Sequence, residues 1–373
     1  MAEHSAIKHI DHVGSLIRPQ ELSKAWYARE EDRIPEDELR EIQDECIRDI
    51  VAEQESIGLD VVTDGEFRRA GWSRGFLSAI EGFGMEASEL QFKDGQGTTN
   101  PAPAPVAVGK IRRTRRIVSD DYQFLKGVTS AIPKVTMPTP SHVHFGHFER
   151  CIQAKAYPDI EEFWQDLIAI YGEEIADLAK VDCRLLQLDE VPLTLCCDET
   201  NQAVARAHGE DPERLVDKYI QLINQVVADR PSTMRIVMHL CRGNQQGLWM
   251  GDGGYAPIAE RLFNETDVDA FLLEYDSPRA GDFQPLTYLP KDKMAYLGIV
   301  STKKSEIESA DDLKRQIEEA SKFSSIEQLG VCPQCGFASA AFSKFNITEN
   351  PMTPEIQRQK LARIVEVASE IWM

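Results

Sequence analysis

His239 and Cys241 stand two residues apart in MHLCRGN, and in an extended strand that spacing turns both side chains to the same side. An imidazole beside a thiolate suits zinc, a borderline-soft ion that binds nitrogen and sulfur at about 2.0–2.3 Å. Two donors hold no ion tightly, so partners must come from elsewhere. A second sulfur source lies in CPQCG, Cys332–Gly336. Such a motif also serves zinc ribbons and redox pairs. A ribbon needs a second C-x-x-C, which is missing here, and a thioredoxin-like pair opens an early helix rather than standing near the end of a long chain. One cysteine of the motif is therefore expected to join His239 and Cys241. Cys335, followed by Gly336, is the better candidate, because Cys332 falls within a predicted strand. A closed structural site would fill the remaining position with another His or Cys, whereas a catalytic site keeps it exchangeable. Glu274, at the end of FLLEYD, offers a replaceable oxygen there. A Zn2+ cofactor held this way admits a substrate thiol and lowers its pKa from the free value of about 8.5, making a nucleophile at neutral pH.

Other polar residues end the predicted strands. They are Ser15, Asp64 with Glu66, Asp189 with Glu190, and Ser301. Glu66 and Asp189 read as receptors for a substrate ammonium group, against the plainer reading of strand-end solvation or, for Asp189, a helix cap. His142, His144 and His147 in SHVHFGH form a rival metal cluster, but no cysteine or paired carboxylate stands close by, so a loop or substrate-contact role is preferred. Cys46, Cys151 and Cys183 read as small buried hydrophobes, and so does the Cys196–Cys197 pair.

The elements that must position these groups are short β-branched runs alternating with amphipathic helices. Strands are expected at His12–Leu16, Asp60–Asp64, Lys134–Met137, Arg184–Asp189, Arg235–Leu240, Ala270–Glu274, Met294–Ser301 and Gln328–Cys332. Helices are expected at Pro35–Ile57, Ile160–Lys180 and Asp311–Phe323. Eight parallel βα units predict a (β/α)8 TIM barrel as one catalytic domain over residues 1–373, with the polar strand ends converging at one mouth. A doubly wound open sheet is the competing architecture, but the phosphate-binding Gly-rich loop expected after its first strand is not seen. Residues 95–118, GQGTTNPAPAPVAVGKIRRTRRIV, read as an insertion or lid between strands 2 and 3. Its Lys110, Arg112, Arg113, Arg115 and Arg116 could meet an anionic substrate tail, though a solvated face is the commoner meaning.

With 373 residues, 42% hydrophobic and 28% charged, the chain can bury a large core. Its net charge of −21 argues against a nucleic-acid partner, which needs a positive footprint. No run approaches the about 18 apolar residues that span a bilayer, and the charged start is no signal peptide. A cytoplasmic protein without a membrane partner is expected, its eight cysteines reduced. A homo-oligomer remains open.

The chain resembles the catalytic barrel of cobalamin-independent methionine synthase, in its short single-barrel form. The matching segments, in family order, are HVGSLIRP (12–19), GLDVVTDGEFRR (58–69), LQLDEVPL (186–193), MHLCRGN (238–244), FLLEYD (271–276) and LGVCPQCGFAS (329–339). The resemblance implies that His239, Cys241, Glu274 and Cys335 are the zinc ligands, and that Ser15, Glu66 and Asp189 hold the amino and carboxylate groups of homocysteine. It implies methyl transfer from a methylated folate to the homocysteine thiolate, with Glu274 leaving the metal as sulfur binds. Where full-length synthases carry a histidine that assists protonation of the folate leaving group, GIVSTKKSE puts Lys303 or a neighbour. The half of those synthases that helps bind polyglutamylated folate is not matched, so the donor is the open side of the chemistry. Relatives apply the same zinc–thiol core to other thiols and electrophiles, such as epoxides joined to coenzyme M. Three hypotheses follow: a methyltransferase making methionine or an analogue, an alkyltransferase or lyase using another thiol, and a non-catalytic zinc-stabilised binding protein.

Overall fold

The computed structural model describes residues 8–94, 97, 99–339 and 352–372. Six parallel strands, Val135–Pro138, Leu185–Glu190, Arg235–Leu240, Ala270–Glu274, Met294–Val300 and Leu329–Pro333, pair in chain order. A doubly wound sheet reverses its order at a switch point; this one does not. Every strand is buried along nearly its whole length, as expected for a parallel sheet covered by crossover helices. The helices carry their own start and stop signals. Ile160–Lys180 begins with the Asp159 side chain accepting from Glu161 N, and Pro212–Val227 with Asp211 accepting from Glu213 N. Glu36–Ile57 has acids in its first turn and ends at Gly58 with φ 94°, a left-handed cap that suits glycine.

Both sheet edges are extended. Val61–Val62 pairs in parallel with Ile132–Pro133, which runs on into the first strand of the six. At the other edge Ile10 bridges Val331. The expected strand His12–Leu16 forms no ladder. Its carbonyls are taken by side chains instead: Lys134 Nζ donates to His12 O (2.5 Å), Gln187 Nε2 to Val13 O (2.6 Å) and Thr63 Oγ1 to Gly14 O (2.7 Å). Thr63 Oγ1, with Leu16 N donating to Gly65 O (3.1 Å), ties the two edge segments to one another. An inner cluster of Val13, Val61, Leu185, Val237, Leu272 and Cys332, with neighbours on the same strands, lies apart from the larger core beneath the helices.

The insertion starts earlier than expected. Ile80–Glu86 pairs antiparallel with Ala104–Arg113, and Gln91–Lys93 with Thr99–Pro101; residues 95, 96 and 98 lie outside the described residues. Most of its basic residues pair with protein groups while staying exposed, as a solvated face does; only the Arg113 side chain is buried. Arg112 Nε reaches Glu81 (2.7 Å), Arg116 reaches Asp120 (2.7 Å), Lys110 pairs with Glu162, and Arg113 reaches Glu174 (2.6 Å) and Asp177 (2.7 Å). Arg115 donates to Ser78 Oγ (2.8 Å). No helix among the described residues is long and apolar enough to cross a membrane.

Candidate metal centre

Strand alternation places the site. Leu185, Gln187 and Asp189 share one side of their strand, as do Val237, His239 and Cys241 on the next, and Ala270, Leu272 and Glu274 on the third. Leu185, Val237, Ala270 and Leu272 belong to the inner cluster, so the site residues are the carboxyl-end members of the same inward rows. Register keeps them level: Asp189 stands opposite His239, and Cys241 N donates to Glu190 O (2.7 Å), extending the ladder one residue beyond the strand.

His239, Cys241 and Cys335 place their donor atoms within 4.8 Å of one another, the metal-type group found among the described residues. The two sulfurs are 3.5 Å apart. His239 Nδ1 lies 3.3 Å from Leu272 O, leaving a buried Nε2 without a hydrogen-bond partner. The contact with Cys241, then the nearby imidazole, holds the Cys335 thiol well below its ordinary range, while the same contact and burial push Cys241 well above it. Burial works against protonation of His239, yet the adjacent Cys335 sulfur raises its pKa. One imidazole and two sulfurs, gathered around a space that a cation would take, fit zinc.

The loop carrying Cys335 is built for this approach. Gln334 N donates to Val300 O (2.8 Å), and its Oε1 accepts from Thr302 N (3.0 Å) and Oγ1 (2.9 Å). A Cβ at Gly336 would meet Ser15 Cβ at 2.7 Å, so glycine lets the turn close on that segment, where Phe337 N donates to Ser15 O (2.8 Å). Cys332 is fully buried in the inner cluster and stays out of the triad.

Glu274 stands beside the triad and is not one of the three. Its Oε1 accepts from Arg242 N (2.6 Å), and its buried Oε2 has no hydrogen-bond partner. Lys303 Nζ stands 3.8 Å from that oxygen.

Glu66 and Asp189 do converge, with an arginine between them. Arg69 Nε donates to Glu66 Oε2 (3.0 Å), its Nη2 lies 2.5 Å from Glu66 Oε1 and 3.8 Å from Asp189 Oδ2, and its Nη1 donates to Thr136 O (2.9 Å). The i, i+3 spacing in GEFRR was the signal available for Arg69 in the sequence. Glu66 itself sits at φ 62°, a conformation that costs a non-glycine residue of order 1–3 kcal/mol and persists only where its surroundings impose it. In that conformation Glu66 N donates to Asp64 Oδ1 (2.8 Å). Burial, then the Glu66 charge, pushes Asp189 up to about 6. Ser15 Oγ accepts from Arg18 Nη1 (2.9 Å).

The histidine run follows the Val135–Pro138 strand, and all three rings are buried. His142 meets the exposed Trp72 edge-on at 5.3 Å. His144 Nδ1 pairs with Tyr219 OH (2.8 Å), and its ring packs on Trp164 and Phe148. Burial, then Lys218, pushes His144 down to about 3. The unfolded chain therefore takes a proton below pH 6.5 that the folded site refuses, so this stability is present above pH 6.5 and lost as pH falls toward 3. Between pH 7 and pH 5 the stability gap between wild type and His144→Gln should shrink by ~2 kcal/mol. Urea unfolding at both values checks it; parallel pH profiles would refute the buried neutral ring. The lone cysteines Cys46, Cys151 and Cys183 and the Cys196–Cys197 pair are buried.

Residues 11–348 match the family described as cobalamin-independent synthase, catalytic domain. The chain belongs to that family. It is 38% identical to YxjH of Bacillus subtilis over 97% of this chain and 94% of that one. It is 26% identical to the methionine synthase of Pyrococcus furiosus, over 87% and 84%. A Listeria monocytogenes protein, solved as a candidate vitamin-B12 independent methionine synthase, superposes with a TM-score of 0.76 at 31% identity, covering 99% of both chains. The α/β fold with its parallel sheet is thus that of the cobalamin-independent synthases.

Proposed function

We propose that this chain is a zinc-dependent S-methyltransferase that activates a homocysteine-like thiol and methylates it from a methyl-folate or similar donor, giving methionine or an analogue. The observation that carries the reading is the meeting of His239, Cys241 and Cys335 within 4.8 Å, beside carboxylates suited to an ammonium group. The family match and the named Pyrococcus furiosus relative support methyl transfer as the reaction class. The edge contacts and the inner cluster support a closed (β/α)8 barrel as a single domain, with the 80–113 ribbons as an insertion or lid.

A zinc ion held by His239, Cys241, Cys335 and Glu274 supplies the Lewis acidity that keeps a substrate thiol deprotonated at neutral pH. The residues of the chain do the rest. Cys241 and Cys335 would bring two thiolate charges to the ion and so would leave a substrate sulfur beside it nucleophilic. Glu274, tethered through one oxygen only, can withdraw the other. Glu66 and Asp189 would hold the ammonium group and Ser15 the carboxylate on the same carbon, which anchors that end of the substrate and limits where its sulfur can reach. Lys303 is the candidate for supplying a proton to the donor's leaving group.

Alkyl transfer or lyase chemistry on another thiol is the second reading. The charge of Arg69 cancels one of the two carboxylates, leaving a single net negative charge that a substrate ammonium answers in either reading. Incubating zinc-loaded protein with methyl-folate and homocysteine, then with other thiols and donors, separates the two. Zinc that only raises the melting temperature, with no thiol alkylated by any donor, would leave a zinc-stabilised binding protein instead.

Glu66→Ala and Asp189→Ala should each keep zinc but raise KM for an amino-thiol about ten- to a hundredfold, the worth of a charged hydrogen bond. A thiol lacking the amino group should be nearly indifferent to both. Unchanged kinetics in both variants would remove the receptor role.

A further inference from the structure

Three buried charges beside the sulfur pair face one another without bonding. Glu274 Oε2 lies 3.6 Å from Arg279 Nη2 and 3.8 Å from Lys303 Nζ. None of the three atoms has a hydrogen-bond partner, and the Arg279 and Lys303 side chains are 12% and 6% exposed. A structural ion pair in this protein looks different: Arg113 and Glu174 meet at 2.6 Å, a normal charge-assisted bond length. Arg279 is held in place over the Trp249 ring at 4.7 Å, with Asp276 Oδ1 at 3.7 Å and Asp252 Oδ1 at 4.0 Å, and the Lys303 side chain is buried with Glu274 as its near carboxylate. Glu274 is pinned at its other oxygen by Arg242 N, so what remains to it is a short swing of Oε2. A shift of about 1 Å one way would close a hydrogen bond to either cation. A swing the other way carries the oxygen toward the sulfurs.

We propose that Arg279 and Lys303 form a cationic dock that competes with the metal for the Glu274 carboxylate, setting how readily the fourth coordination position opens to substrate sulfur. They are positioning residues, acting through Glu274. The proposal rests on the zinc reading above. It also gives Lys303 a task that needs no contact with the methyl donor.

The test uses the full chain, Zn2+ in competition with a chelator, and the visible absorption of the Co2+-loaded protein. Lys303→Met and Arg279→Gln should each bind Zn2+ about tenfold more tightly and shift the Co2+ bands, because the carboxylate loses its alternative place. Lys303→Arg should restore wild-type values. Removing a cation near a dication would tighten binding somewhat by itself, so the same changes are made in Glu274→Gln, where only that part should remain and the tightening should be clearly smaller. KM for the thiol should rise in Lys303→Met, since its sulfur must displace a more firmly held oxygen. Unmoved Zn2+ affinity and Co2+ bands in both variants, or tightening of undiminished size in Glu274→Gln, would overturn the dock. A wild-type protein that takes up no Zn2+ would instead overturn the metal centre itself.

Discussion

His239→Ala and Cys335→Ser should each cost the protein its tightly bound zinc, and with it thiol alkylation, whereas Cys332→Ser should keep both. Zinc in a four-ligand protein site is held by about 10–16 kcal/mol, roughly 2.5–4 kcal/mol per ligand, so each loss amounts to about a hundred- to a thousandfold in affinity. The contrast between the two cysteines of one motif is the informative part. Cys335 brings its sulfur to 3.5 Å from Cys241, on a loop held by Gln334 and closed by Gly336 against Ser15. Cys332 lies one inward step deeper, fully buried among Val13, Val61, Leu185 and Val237, where burial pushes its thiol well above the ordinary range. A serine there buries a hydroxyl among apolar neighbours and lowers stability by about 1–3 kcal/mol without touching the donor set. Metal analysis with chelator titration checks all three variants. Equal loss of zinc in Cys332→Ser would show that the wrong sulfur has been assigned.

Glu174→Ala should destabilise the fold by about 3–5 kcal/mol, the usual result of removing one partner from a buried pair. This carboxylate is completely buried on the Ile160–Lys180 helix. It accepts from Arg113 (2.6 Å) and from the main-chain nitrogens of Ile117 (2.8 Å), Val118 (2.8 Å) and Ser119 (2.7 Å). It thus ties the end of the inserted ribbon to the body and receives the free amides at the start of helix Ser119–Val128. Alanine would leave three buried N–H groups unanswered, with Asp177 still pairing Arg113 (2.7 Å). Adding Arg113→Met should therefore return little of the loss, since the amides remain without an acceptor. Urea unfolding of the single and double variants reads this out. A single variant within about 1 kcal/mol of wild type would mean that water reaches these groups.

How legible the molecule was in its sequence depends on how local each signal is. Arg235–Leu240, Ala270–Glu274 and Ile160–Lys180 appear with the bounds that their periodicity implies, because alternation and helical spacing act within a few residues. The zinc-type triad was legible for the same reason at each of its parts: an i, i+2 pair on one strand, and a cysteine followed by the glycine that its loop requires. The first expected strand failed because its pairing is decided from afar. Lys134, Gln187 and Thr63 bond the carbonyls of His12, Val13 and Gly14 from distant segments, and no local pattern in 12–16 announces that.

The order of polar residues at the strand ends, the choice of soft donors and the helices that carry them are properties of the sequence itself, since covalent spacing and side-chain chemistry settle them. Arg69 between Glu66 and Asp189, the Arg113 side chain of the insertion buried against Glu174, and two cations facing Glu274 are decisions of the tertiary structure. The reason is physical: a charge acts over a few ångströms of space whatever its distance along the chain, and only the folded sheet brings residues 66, 189, 274, 279 and 303 within that range.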